Sequence, residues 1–274
     1  MAFIPQEINI LASSDVLSGA SNVSADGSQF EIQLDEPIHI PANAINTTIS
    51  VEEASVWWVI PNIITGKNDK FYMTYNDGIN PVLNLNITIP QGLYDLSGLN
   101  QAILREIENL GAPTAPSLIF LSADDATQKV ELVMNYAGIT IDFTPIDTFR
   151  DIIGFNSQII GPTIAAITQV ADNVAAFNQV NYFLIHSDLT TKGIRFNNTY
   201  NQSVFQVLID VPPGSQIVSR PFNPPRISAD ELTGASRKTI RFWLTDDKNR
   251  RVNTNGEVFS CRMVIKYLLP HIIR

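Results

Sequence analysis

The chain has 274 residues, 45% of them hydrophobic, which suffices for one large domain or two smaller ones with real cores. Only 16% are charged, against about 25% in an ordinary soluble domain; this excludes long coiled coils and helical repeats, and 14 Phe, 7 Tyr and 3 Trp exclude disorder. A formal net charge of −9 has the wrong sign for a general nucleic-acid binder, and the single Cys261 excludes an intrachain disulfide framework.

Residues 1–27 are rich in Ser, Asn and Ala without a clear period, and they read as an extended N-terminal arm. Phe30, Ile32 and Leu34 then alternate with Glu31 and Gln33, the pattern of a half-buried strand that Pro37 and Pro41 are expected to stop. The run 47–60 is β-branched and aromatic and ends at Pro61-Asn62. Runs 71–75 and 82–89 flank Asn76-Asp77-Gly78, a hairpin signal. Leu96, Leu99, Ile103, Ile107 and Leu110 recur at spacings of three and four, which predicts one helix, capped by Asp95 and ended by Gly111 and Pro113. Runs 118–122 and 129–134 form a second hairpin around 123–126, and Ile139, Ile141 and Phe143 alternate again. Asp147 is placed to cap a short helical turn that Gly154 closes, and the stretch to about Gln179 is weakly patterned. Strand signals return at 182–186, 204–211, 216–219, 239–244 and 258–268, with a tight turn at Asn255-Gly256.

About eight strand signals lie outside the middle of the chain, and neither flank alone has enough strands to close a core. The expected fold is therefore mainly β: a single jelly-roll β-sandwich of two antiparallel four-stranded sheets, built from 28–90 and 179–274, with a small α/β insertion domain at 91–178.

No nucleophile elbow, phosphate loop or dinucleotide fingerprint occurs. His39, His186 and His271 are isolated from one another, so no metal or cofactor site is expected. Cys261 sits in an alternating strand with apolar Phe259, Met263 and Ile265 on its face and reads as a buried small hydrophobe. The doublets Asp124-Asp125 and Asp246-Asp247 fall in turns, where Asp is favoured for backbone reasons. Five N-x-[ST] sequons, among them Asn46, Asn86 and Asn197, reflect Asn richness, since the opening MAFIPQEINI has no basic segment before an apolar run and no secretory signal is expected. No stretch is apolar enough for a membrane span.

Two features point to partner surfaces. Trp57 and Trp58 are adjacent in a strand, so one ring faces the core and the other the outer face, where it would anchor a neighbouring subunit or serve as a sugar platform. From Asp188 onward there are 13 Lys and Arg against 7 Asp and Glu, so the rear third is basic and the rest acidic. Arg237, Lys238, Arg250 and Arg251 are the candidate basic contacts to an acidic neighbour; polar loop composition is the other reading of the asymmetry, and a solvated hairpin connection the other reading of the loop that carries Arg250 and Arg251.

Four motifs follow one another in the final third: Val211-Pro212-Pro213-Gly214-Ser215, Arg220-Pro221-Phe222-Asn223-Pro224, Ile240-Arg241-Phe242-Trp243-Leu244-Thr245-Asp246 and Asn253-Thr254-Asn255-Gly256-Glu257. Ala54-Ser55-Val56-Trp57-Trp58, Gly92-Leu93-Tyr94-Asp95-Leu96 and Phe149-Arg150-Asp151-Ile152-Ile153-Gly154-Phe155 precede them. The ordered set resembles the penton or minor capsid proteins of virophages and Polinton-like viruses, from about Gln29 onward and weakly over 156–180. The resemblance implies a virion protein with one jelly roll perpendicular to the shell. It also implies self-association as a homopentamer at fivefold vertices, among trimers of a double-jelly-roll major capsid protein. The insertion would project outward, where a host receptor is a further possible partner. No enzymatic activity, cofactor or sequence-specific nucleic acid is implied. A pentamer and a trimer sharing the fold are not separated by sequence, and a carbohydrate-binding spike or lectin-like jelly roll is the alternative that Trp57-Trp58 motivates.

Overall fold

The computed structural model describes residues 2–112, 117–177, 180–196 and 199–271. Its longer elements run, in chain order, β1 (Ala2–Ser13), β2 (Gln29–His39), β3 (Ile45–Trp57), β4 (Lys70–Tyr75), β5 (Leu83–Thr88), α1 (Leu96–Asn109), β6 (Ile119–Asp124), β7 (Lys129–Met134) and β8 (Ile139–Asp142). They continue as α2 (Arg150–Ile153), β9 (Ile159–Ile160), β10 (Ile167–Val170), β11 (Tyr182–Ser187), β12 (Ser203–Leu208), β13 (Gln216–Ser219), β14 (Ser236–Thr245) and β15 (Ser260–His271). The chain divides into two compact units, residues 1–60 with 180–274, and residues 61–179.

The first unit is mainly β. One sheet has the order β1-β15-β3-β13 and the other β12-β11-β14-β2, all antiparallel, and each gains a two-residue fifth strand, Ile227–Ser228 beside β3 and Ala20–Ser21 beside β2. Numbering only this unit's eight main strands in chain order, the sheets read 1-8-3-6 and 5-4-7-2. Each strand therefore pairs with the one reached by folding a long hairpin back on itself, which is the jelly-roll connectivity. Inward residues alternate along the strands: Ile10 and Ala12 on β1, Cys261, Met263 and Ile265 on β15, Ile240, Phe242 and Leu244 on β14 are all buried. Phe30 of one sheet stacks on Phe242 at 5.4 Å and meets Phe259, just before β15, edge-on at 5.1 Å.

The second unit has its own core. Sheets β9-β8-β4-β5 and β10-β7-β6 enclose it together with α1. Phe71 stacks on Phe149 and contacts Phe143, which stacks on Phe155. Asp95 caps α1 through the Gly98 N–H at 2.6 Å, and Leu99, Ile103 and Ile107 are buried while Gln101, Arg105 and Glu108 are exposed.

Four sequence expectations change. Residues 2–13 are not an arm: β1 pairs with β15 in an unbroken register from Ala2–His271 to Ser13–Ser260. The insertion begins near Pro61 rather than residue 91, because β4 and β5 pair with each other and β4 with β8, inside the second unit. Pro37 does not stop β2, which runs on to His39; a register break opposite Lys238 leaves the stretch around it outside the regular ladder. Asp147 does not cap α2, whose N-cap is Phe149 without a side-chain bond; its carboxylate instead accepts from the Tyr72 hydroxyl at 3.0 Å. Of the predicted helix face, Leu110 is about half exposed, at the C-cap of α1. Pro113 and Asn197 lie outside the described residues.

Candidate functional site

The six residues singled out from sequence do not form one site. Arg237 and Lys238 lie at the start of β14, and Arg250 and Arg251 in the loop beyond its other end, roughly 25 Å away at the rise of an extended strand. Trp58 is buried, whereas Trp57, the last residue of β3, is half-buried opposite Gln216 of β13.

Arg250 and Arg251 are engaged within the chain. The loop after β14 turns because buried Asp246 accepts the backbone N–H groups of Lys248 and Arg250 at 2.9 and 2.8 Å. Its second oxygen takes the Arg250 guanidinium at 2.7 Å. Arg251 lies over the Trp243 ring at 5.2 Å and donates to Gln29 Oε1. Burial lowers the Arg251 pKa, and Asp26 opposes the shift.

Sequence reasoning missed the group behind that arginine. His186 of β11 faces Trp243 of β14 across the sheet, and their rings stack at 5.2 Å, nearly parallel. The imidazole Nε2 shares a hydrogen bond of 2.8 Å with Thr245 Oγ1. Burial pushes its pKa down to about 4, and the Arg251 charge adds to the shift. The sequence signal was there only in retrospect: two aromatic rings on strands that become neighbours. A cleft of about 430 Å³ beside the stack is lined by Thr191, Asn201, Gln202 and Asn249. The Trp243 indole is thus engaged by both the His186 ring and the Arg251 guanidinium.

The remaining chemistry-bearing groups have structural surroundings. Cys261 is buried and its thiol pKa is pushed up to about 12 by burial, the reverse of an activated nucleophile. Asp124 accepts from Thr127 and the Ala126 N–H within its turn. His39 is exposed, and nothing is described of the His271 side chain. Among the described residues no three His, Cys, Asp or Glu side chains gather as a metal site would need, and no helix is long and apolar enough to cross a membrane.

Arg237 and Lys238 differ from the other pair. Both are exposed, and among the described residues neither makes an ion pair or a side-chain hydrogen bond. They are the members of the predicted set that the chain itself leaves free.

No protein-family model and no curated protein matches the sequence. Among solved structures, the chain is similar to the mavirus penton protein, at 14% identity over 97% of this chain and 99% of that one, with a TM-score of 0.44. It is also similar to a chain of the Sputnik virophage structure, at 16% identity over 95% and 97%, with a TM-score of 0.39.

Proposed function

We propose that the chain is a structural protein of a viral capsid that assembles with copies of itself as a homopentamer at the fivefold vertices of an icosahedral shell, beside a double-jelly-roll major capsid protein, and that it catalyses no reaction. The observation that carries this reading is the strand order. The two sheets have the connectivity of the single jelly roll that the ordered sequence motifs imply, interrupted between its third and fourth strands by a unit with its own core. Fold alone does not assign function. The second support is chemical: His186, Cys261, Asp124 and Asp246 are each held in a packing, turn-forming or ion-pairing role rather than turned toward a substrate.

In this reading the working part of the molecule is its surface. Copies in a ring meet through two different faces, so each interface is heterologous and the rotation closes the assembly. Native mass spectrometry over a concentration series is expected to show a species of five chains growing at the expense of the monomer. Monomer alone at every concentration and ionic strength overturns the proposal.

A further inference from the structure

The first sixty residues carry eight Asp and Glu and no Lys or Arg, and the rear third of the chain is basic. Within the jelly roll these opposite charges mostly meet. Glu31 pairs with Arg241 at 2.6 Å and Glu53 with Arg220 at 2.8 Å. Glu52 faces Arg262 and Lys266, and Glu7 also faces Lys266. Asp26 feels the charge of Arg251, and Asp15 caps a turn through the Leu17 N–H. Two front-end acids are left, Asp35 and Glu36, both exposed and, among the described residues, without an ion pair or a side-chain hydrogen bond.

Those two acids are on β2, in the stretch that faces the free bases of β14. β14 pairs with β11 only from Phe242 to Thr245, so toward Ser236 it runs beside β2 alone, as a two-stranded ribbon beyond the rest of the sheet. In that ribbon the ladder skips from Arg237–Ile38 to Thr239–Gln33. Residues 34–37 therefore bulge opposite Lys238, and the bulge breaks the regular cross-strand facing that would otherwise set acid against base. The result is an exposed ribbon with an acidic doublet on one strand and a basic doublet on the other, neither neutralised by its own chain.

We propose that this ribbon, residues 33–39 with 236–240, is a polar contact to a second copy of this chain, with Asp35 and Glu36 of one copy set against Arg237 and Lys238 of the next. It rests on the reading that the chain self-assembles. Charge complementarity selects the occupant: around a ring the acidic strand of one ribbon can meet the basic strand of the next copy's, a heterologous match, whereas a uniformly charged partner would be repelled by one doublet. As an exposed contact it contributes mainly to association rate and register, and salt screens it.

The experiment compares wild type with three variants: Asp35→Lys with Glu36→Lys, Arg237→Glu with Lys238→Glu, and all four together. Thermal unfolding checks that the exposed substitutions leave the fold intact, and sedimentation velocity at about 50 mM and about 500 mM salt reads association. Each double variant is expected to need roughly tenfold more protein for half-assembly at low salt, the fourfold exchange to return close to wild type, and the differences to fade at high salt. Assembly of both double variants like wild type, with the same salt response, overturns the contact and leaves the assembly reading standing. So does failure of the fourfold exchange to recover. A wild-type chain that never associates overturns both.

Discussion

His186 is the residue whose surroundings make the most measurable demand. It packs flat on Trp243, whose ring also lies beneath the Arg251 guanidinium, so a proton on the imidazole would place two cations on one indole in a buried position. Its pKa is about 4 in the folded chain against an ordinary 6.5. Between these values the unfolded chain binds the proton and the folded chain does not. The neutral ring's stabilising effect is therefore complete above pH 6.5 and is lost as pH falls toward 4. The difference corresponds to about 3 kcal/mol. Chemical denaturation at pH 7 and at pH 4.5 is expected to show a loss that His186→Gln largely removes, even though the variant is less stable at pH 7. An unchanged pH slope in that variant would mean that other groups carry it. Arg250 and Asp246 illustrate a related point at the same scale: an arginine exposed in a charged loop can already be committed to its own turn.

At the level of elements, strands with strong two-residue alternation were legible and elements defined by long-range partners were not. β14 and β15 alternate apolar and polar residues over most of their length, and α1 shows both its face and its Asp95 cap in sequence. β1 is the counterexample. Only Ile8, Ile10 and Ala12 mark its inward side, and what makes it a strand is the register with β15, some 250 residues away in sequence. The domain boundary was misplaced for a similar reason: the hairpin of β4 and β5 was legible, but its membership depends on β8. The candidate contacts were half legible. Their charges could be read off the chain, but the bulge that leaves Arg237 and Lys238 free, and the loop that occupies Arg250 and Arg251, exist only once strands are paired.

A second element-scale feature is the treatment of the β6 edge. Buried Asn100 on α1 accepts the Leu121 N–H at 2.8 Å and donates to the Leu121 carbonyl, doing with one side-chain amide what a neighbouring strand would do. Asn100→Leu keeps the branched outline and the number of side-chain heavy atoms, though it is bulkier, and leaves both Leu121 backbone groups without this partner. It is expected to cost roughly 2–4 kcal/mol in thermal or chemical unfolding, while Gln101→Ala on the exposed face changes stability by less than about 0.5 kcal/mol. Equal effects of the two substitutions would show that the edge needs no such cap.

Across the whole molecule, the acidic front and basic rear of the sequence take on a structural meaning. A jelly roll folds its first strands against its last, so charges segregated along the chain become neighbours in space: Glu31 with Arg241, Glu52 with Arg262, Glu7 with Lys266. Six of the eight acids of the front are thus engaged within the first unit, and the remaining two lie with Arg237 and Lys238 on the ribbon of β2 and β14. A surface with few charges and a small set of unpaired ones suits a protein covered by neighbours in a shell, with those few charges setting register between copies. The claim at the centre of this picture is fivefold self-association. Electron micrographs of the isolated oligomer, averaged in views along its axis, test it most directly. Rings of five subunits are the predicted result, and rings of three, or particles that remain single chains, would contradict it.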